Sequence, residues 1–204
     1  MTSDSRPPVP FIGLTGGMGS GKSTALEILA RLGAATISAD AVVHELYRTS
    51  GDLREAVVAR WGADVAPGGV VDRQRVAQAA FADPDGRAWL EQQIWPLVGQ
   101  AIWEFRQQVE AADPRPRAAV VETPLLFEAG MDSAYDATIA IVTDDAIRAE
   151  RTATRGHAAA DERDARQLSQ DEKAARATYV VHNHGSLEEL EEQLSAALAS
   201  IGES

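Results

Sequence analysis

The chain has 204 residues, 45% hydrophobic and 25% charged, with a net charge of −12 and no cysteine. That balance suits one soluble globular domain with a real core, and the acidic charge argues against a broad nucleic-acid face, which needs many Lys and Arg contacts to phosphate. Disulfides, thiolate catalysis and cysteine zinc sites are excluded. No apolar run approaches the ~18 residues of a transmembrane helix.

Residues 1–9 read as a disordered lead-in without an apolar signal core, so a cytoplasmic protein is expected. The apolar run from Phe11 predicts a first strand to about Thr15. It feeds Gly16-Gly17-Met18-Gly19-Ser20-Gly21-Lys22-Ser23, which fits G-x-x-x-x-G-K-[ST]. A helical pattern follows through Ala25, Leu26, Ile28, Leu29 and Leu32, ended by Gly33. Strand, glycine loop, helix is the setting of a phosphate-binding loop. The glycines let backbone N–H groups approach phosphate oxygens without a Cβ clash, and the helix N-terminus adds partial positive charge. Gly17, Met18, Gly19, Ser20, Gly21 and Thr24 are therefore nucleotide-binding candidates. Lys22 would reach the β- and γ-phosphates, and the Ser23 hydroxyl would ligate Mg²⁺. Lys22 is one of only two lysines, the other being Lys173, which argues against a chance match.

Ala35-Thr36-Ile37 predicts a second strand, ending at Ser38-Ala39-Asp40. Asp40 is either a functional acid at the ligand-binding end of a parallel sheet or the N-cap of the helix through Leu46. From about 51 to 112 no strand is evident. Gly62 should stop one helix, Asp72 cap a second, Asp83-Pro84 start a third and Pro96 open or kink another. This helical insertion reads as a substrate-recognition subdomain. Trp89, Trp95 and Trp103 are expected mainly in its core.

Ala118–Val121 is a buried parallel strand, running into Glu122, a candidate Mg²⁺-organising carboxylate, and Glu128, read as a solvated loop acid. The fourth strand is Thr138–Val142. The next helix carries Arg148, Arg151 and Arg155, and the polar stretch to about residue 177 adds Arg163, Arg166, Lys173 and Arg176. Arginines here could form a lid over a transferring phosphate. The interleaved acids favour a plain solvated face for each except Arg151 and Arg155. Tyr179–Val181 is a fifth strand. Ser186 and Glu189 make a capping box for a last helix presenting Leu187, Leu190, Leu194, Leu198 and Ile201. His182 and His184 are too few for a zinc site.

The expected fold is α/β, a three-layer phosphate-loop kinase core with a parallel sheet, a helical insertion and a lid. A GTP switch is disfavoured, because neither lysine sits in an N-K-x-D element.

The ordered segments Leu14–Ser23, Ala39–Leu46, Pro124-Leu125-Leu126-Phe127-Glu128-Ala129-Gly130, Glu150-Arg151 with Arg155, Gln167 with Lys173, and Tyr179–Gly185 resemble the dephospho-coenzyme A kinase family nearly end to end. The resemblance implies Mg²⁺-dependent transfer from ATP to the ribose 3′-hydroxyl of dephospho-coenzyme A. It implies that Asp40, near the acceptor hydroxyl, orients it, accepts its proton or helps hold Mg²⁺, that Arg151 and Arg155 clamp phosphates, that Asn183 lies near the adenine, and that the insertion holds the acceptor. Three positions depart from the family pattern: Ser38 stands for the first acid of Asp-Ala-Asp, Trp95 for the histidine of His-Pro, and Thr178 for an aspartate. The alternatives are another small-molecule kinase, for a nucleoside or sugar acid, or an ATP-binding regulator without activity.

Overall fold

The computed structural model describes residues 7–153 and 167–203. The chain forms two compact units, one of Met1–Ile37 with Arg106–Ser204 and one of Ser38–Phe105.

The first unit is built on a parallel five-stranded sheet. Its strands are β1 (Phe11–Gly16), β2 (Ala35–Ser38), β3 (Ala119–Glu122), β4 (Ala137–Val142) and β5 (Tyr179–His182), in the order β2-β3-β1-β4-β5. Strand β1 is central, with Leu14 level with Glu122 of β3 on one side and Ile139 of β4 on the other. It is buried along its whole length, which is why its sequence is apolar from Phe11 to Leu14. Connections leave β1 and β4 towards opposite edges of the sheet. Their carboxyl ends therefore flank the crevice where open α/β sheets bind ligands.

One face of the sheet packs Ile12, Leu14, Ile139 and Ile141 against Ile28 and Leu29 of α1 (Lys22–Arg31) and Leu190, Leu194 and Leu198 of the C-terminal helix. Residues of the other parity, Gly13 and Thr15, turn to the opposite face. Leu126 Cδ1 lies 2.4 Å from where a Gly13 Cβ would be, so a side chain at Gly13 would have to displace Leu126.

The second unit is helical: α2 (Ala39–Thr49), α3 (Gly51–Trp61), α4 (Arg73–Ala82) and α5 (Gly86–Ala111) as far as Phe105. Tyr47, Leu53, Val57, Val65, Val76 and Ile94 form its core. Gly62 stops α3, and Asp72 caps α4 through Gln74 and Arg75. Two expectations fail here, on Pro96 and on the tryptophans. Asp83 both ends α4 and opens the turn into α5: its Oδ1 accepts from Asp85 N–H at 3.2 Å, while its Oδ2 takes Arg60 and the Trp61 indole N–H. Those hydrogen bonds, Arg60's first, hold its pKa below the usual carboxylate range. Pro96 opens no new helix, since it lies inside the 26-residue α5. Of the three tryptophans only Trp89 joins the core, edge-to-face on Trp61 at 5.1 Å, whereas Trp95 and Trp103 are each 61% exposed.

The last two described helices of the first unit, after α6 (Asp145–Ala153), are α7 (Gln170–Arg176) and α8 (Leu187–Gly202), each opened by a capping box, Ser169/Glu172 and Ser186/Glu189. No described helix is long and apolar enough to cross a membrane.

Candidate active site

Helix α1 begins directly after a left-handed Gly21 (φ 94°), and no side chain caps it. An uncapped helix start leaves backbone donors for an incoming anion. A cavity of about 370 Å³ opens there, lined by Gly19, Gly21, Lys22, Ser23, Thr24, Arg151, Asn183 and Leu187. The first seven were expected together. Leu187 was not, being placed on the buried face of α8, whereas it is 60% exposed.

The loop is held by its own atoms and by three neighbouring segments. Lys22 Nζ donates to the Gly17 carbonyl at 3.0 Å, and Ser20 N–H to the same oxygen at 3.2 Å. Asn183, on the loop after β5, is buried and donates its Nδ2 to the Ser20 carbonyl at 2.8 Å. Thr143, after β4, places its hydroxyl 2.9 Å from that oxygen and is 1% exposed. Arg148, on α6, donates Nε to the Met18 carbonyl at 3.0 Å. Arg151, one turn further on, is exposed, with Nη1 3.5 Å from the Gly19 carbonyl. Arg155, Arg163 and Arg166 lie outside the described residues.

Gly17, Met18 and Ser20 do not line the cavity. Ser20 is fully buried. Asp40 stands in the first turn of α2, in the helical unit, and does not cap that helix. The cap is Ser38, whose hydroxyl accepts from Ala41 N–H at 3.4 Å. A serine thus does locally what the family's aspartate could do there. Glu122, the last residue of β3, is 7% exposed. Glu128 is not a solvated acid, nor is Lys173 part of a solvated face. They form an ion pair at 2.9 Å, with side chains 12% and 1% exposed. Lys173 also donates to the Pro124 carbonyl at 2.6 Å, which accepts from Thr15 Oγ1 at 3.3 Å. Glu128 Oε1 accepts from Leu168 N–H at 2.8 Å. Long-range pairs of this kind leave no local signal in sequence. Arg148 did leave one, since it lies three residues before Arg151 and so shares a helix face with it.

His182 Nδ1 and His184 Nε2 lie 3.1 Å apart, and His184 also pairs with Asp144. Among the described residues no group of three or more His, Cys, Asp or Glu is gathered for a metal. A Mg²⁺ carried on nucleotide phosphates needs only one or two protein ligands. Ser23, exposed on the cavity wall, fits that requirement.

Residues 10–189 match the family model described as dephospho-CoA kinase. A protein of Symbiobacterium thermophilum named dephospho-CoA kinase is 40% identical over 191 residues, covering 92% of this chain and 79% of its own length. One of Syntrophotalea carbinolica with the same name is 34% identical, covering 93% and 91%. The crystal structure of TT1252 from Thermus thermophilus superposes with a TM-score of 0.76 at 32% identity, covering 96% of this chain and 98% of that one. A glycine-loop cavity on the carboxyl edge of a parallel sheet, in a chain matched over this length, leaves one assignment: the protein belongs to the dephospho-CoA kinase family.

Proposed function

We propose that the chain transfers the γ-phosphoryl group of ATP to the ribose 3′-hydroxyl of dephospho-coenzyme A, in the cytoplasm and with Mg²⁺. The observation that carries the proposal is the cavity where Gly19, Gly21, Lys22 and Ser23 meet Arg151 and Asn183, in a chain of this family. The loop's backbone donors and Lys22 hold the β- and γ-phosphates, which bind before the chemistry and stay bound through it. Ser23 would hold Mg²⁺ on the protein side, with Glu122 as a candidate outer carboxylate, and the ion would supply charge neutralisation.

The acceptor hydroxyl oxygen bonds to the γ-phosphorus as the bond to the β–γ bridging oxygen breaks, and ADP leaves. Asp40 accepts the hydroxyl proton. Arg151, with Arg155, neutralises charge spread over the transferring group. The helical unit supplies the acceptor's binding surface.

The test is incubation with MgATP and dephospho-coenzyme A, followed by mass analysis for coenzyme A. ATP binding without product would refute the assignment, and a panel of nucleosides and sugar acids would show whether another acceptor is used. Asp40→Asn should lower turnover about 10²-fold or more. Near-normal turnover would reject its role as proton acceptor. Lys22→Ala should lower kcat/KM for ATP by a similar factor whichever acceptor is used, since charge-stabilising donors in such sites contribute about 10²–10³-fold.

A further inference from the structure

We propose that Arg148 and Thr143 are positioning residues that set the orientation of the phosphate loop before nucleotide arrives. The inference rests on the reading of this loop as the ATP site and adds two residues that do not line the cavity.

The argument begins with the peptide bond. In a trans peptide the carbonyl and the following N–H lie in one plane and point in opposite directions. Whatever fixes the Met18 carbonyl therefore fixes the Gly19 N–H, and whatever fixes the Ser20 carbonyl fixes the Gly21 N–H. Gly19 and Gly21 both line the cavity, at φ 74° and 94°. These are left-handed conformations in which successive N–H groups can turn towards an anion.

Both carbonyls are taken by side chains from outside the loop. Arg148 Nε holds Met18 O at 3.0 Å, and its Nη1 is itself held by Asp145 Oδ1 at 2.9 Å. The Thr143 hydroxyl and Asn183 Nδ2 hold Ser20 O at 2.9 and 2.8 Å. Thr143 is in turn fixed by Gln170, whose side-chain amide accepts from its N–H at 2.9 Å and donates to its carbonyl at 2.7 Å. The N–H groups of Gly19 and Gly21 are thereby turned away from these partners and stay available to phosphate. In an unheld loop each peptide could rotate, and the nucleotide would have to restrict that motion on binding.

The glycines fit the same account. A Cβ on Gly17 would lie 3.2 Å from Arg148 Nη2, and one on Gly21 would lie 2.2 Å from Asn183 Nδ2. Two of the loop's glycines, one of them fixed by the motif, thus make room for the side chains that hold the loop as well as for a ligand.

The test compares ADP with AMP by titration calorimetry, because only ADP carries a β-phosphate. Arg148→Met should weaken ADP about ten-fold, the scale of a lost charge-assisted hydrogen bond, with AMP within two-fold of wild type and an unchanged KM for the acceptor. Arg148→Gln is the decisive variant. Its Nε2 is the same number of bonds from Cα as Arg Nε, so it can still hold Met18 O without the charge, and ADP affinity should largely return. Thr143→Val should weaken ADP by a smaller factor, since Asn183 still holds Ser20 O. ADP affinity unchanged in Arg148→Met, equal losses of ADP and AMP, or a Gln variant as weak as the Met variant would each overturn the proposal. Wild-type protein that binds ADP no better than AMP would instead overturn the reading of the loop itself.

Discussion

Replacing Lys173 by Met tests how the segment after β3 is held against the sheet. The lysine side chain is 1% exposed, with its ammonium group 2.9 Å from Glu128 and 2.6 Å from the Pro124 carbonyl. Methionine nearly matches the stem but leaves a buried carboxylate, its side chain 12% exposed, without its lysine partner. Glu128 keeps the Leu168 N–H and Pro124 keeps the Thr15 hydroxyl, so neither loses every partner. Breaking a buried pair from one side costs about 3–5 kcal/mol, which for a chain of this size lowers Tm by roughly 10 °C. The double variant Lys173→Met/Glu128→Leu removes the stranded charge. It should be more stable than the lysine variant alone, while remaining below wild type because Leu168 N–H loses its acceptor. Urea unfolding of the four proteins completes the cycle, with an expected coupling of at least about 2 kcal/mol. A loss under about 1 kcal/mol in Lys173→Met, or additive effects in the double variant, would show that the pair is not the fastening described above.

Gly21→Ala places a Cβ 2.2 Å from Asn183 Nδ2 at φ 94°. Gly33→Ala, at φ 93° with its nearest neighbour 3.4 Å away, carries the same backbone strain, about 1–2 kcal/mol, without the collision. ADP affinity should fall more than ten-fold in the first and stay near wild type in the second. Equal binding in both would remove the contact from the account. Asp83 has a folded pKa below its unfolded value, so its contribution to stability is present above the unfolded carboxyl range, near pH 4, and is lost as pH falls through the folded value. The Tm gap between wild type and Asp83→Asn should therefore be full at pH 7 and close as acid is added. A constant gap would mean that Asp83 acts through shape alone.

Much of the first unit was legible because its signals are local. A strand buried on both faces reads as a continuous apolar run, as from Phe11 and from Ala118. A phosphate loop reads from glycine spacing, and the capping box of α8 from Ser186 and Glu189. The helical unit was less legible. Asp83-Pro84 carries a good start signal, and Asp83 Oδ1 does take Asp85 N–H, but nothing local foretold that its Oδ2 would take the Arg60 guanidinium 23 residues earlier. Pro96 removes one hydrogen-bond donor from α5, a local loss that did not stop the helix. The exposure of Trp95 and Trp103 could not be read from residue type, because type reports average burial and not which helix face meets the core.

Site residues divide along the same physical line. Most of those that would touch nucleotide sit in one contiguous motif, so Gly19 to Thr24 could be read together, with Arg151 and Asn183 outside it. Those that aim the motif come from segments more than a hundred residues away, and no spacing rule links Thr143, Arg148 and Asn183 to Met18 and Ser20. The glycines of the pattern join the two groups. Gly21, fixed by the motif, and Gly17, at one of its free positions, each lack a Cβ, and the structure gives that absence a second use beyond approach to phosphate, since Asn183 and Arg148 occupy the space. A phosphate loop grafted without its Arg148 and Asn183 equivalents would keep every motif residue, yet the Met18–Gly19 peptide would lose its outside anchor and the Ser20–Gly21 peptide would keep only Thr143. By the peptide geometry above, such a loop should bind β-phosphate more weakly, with nothing in the motif to predict it.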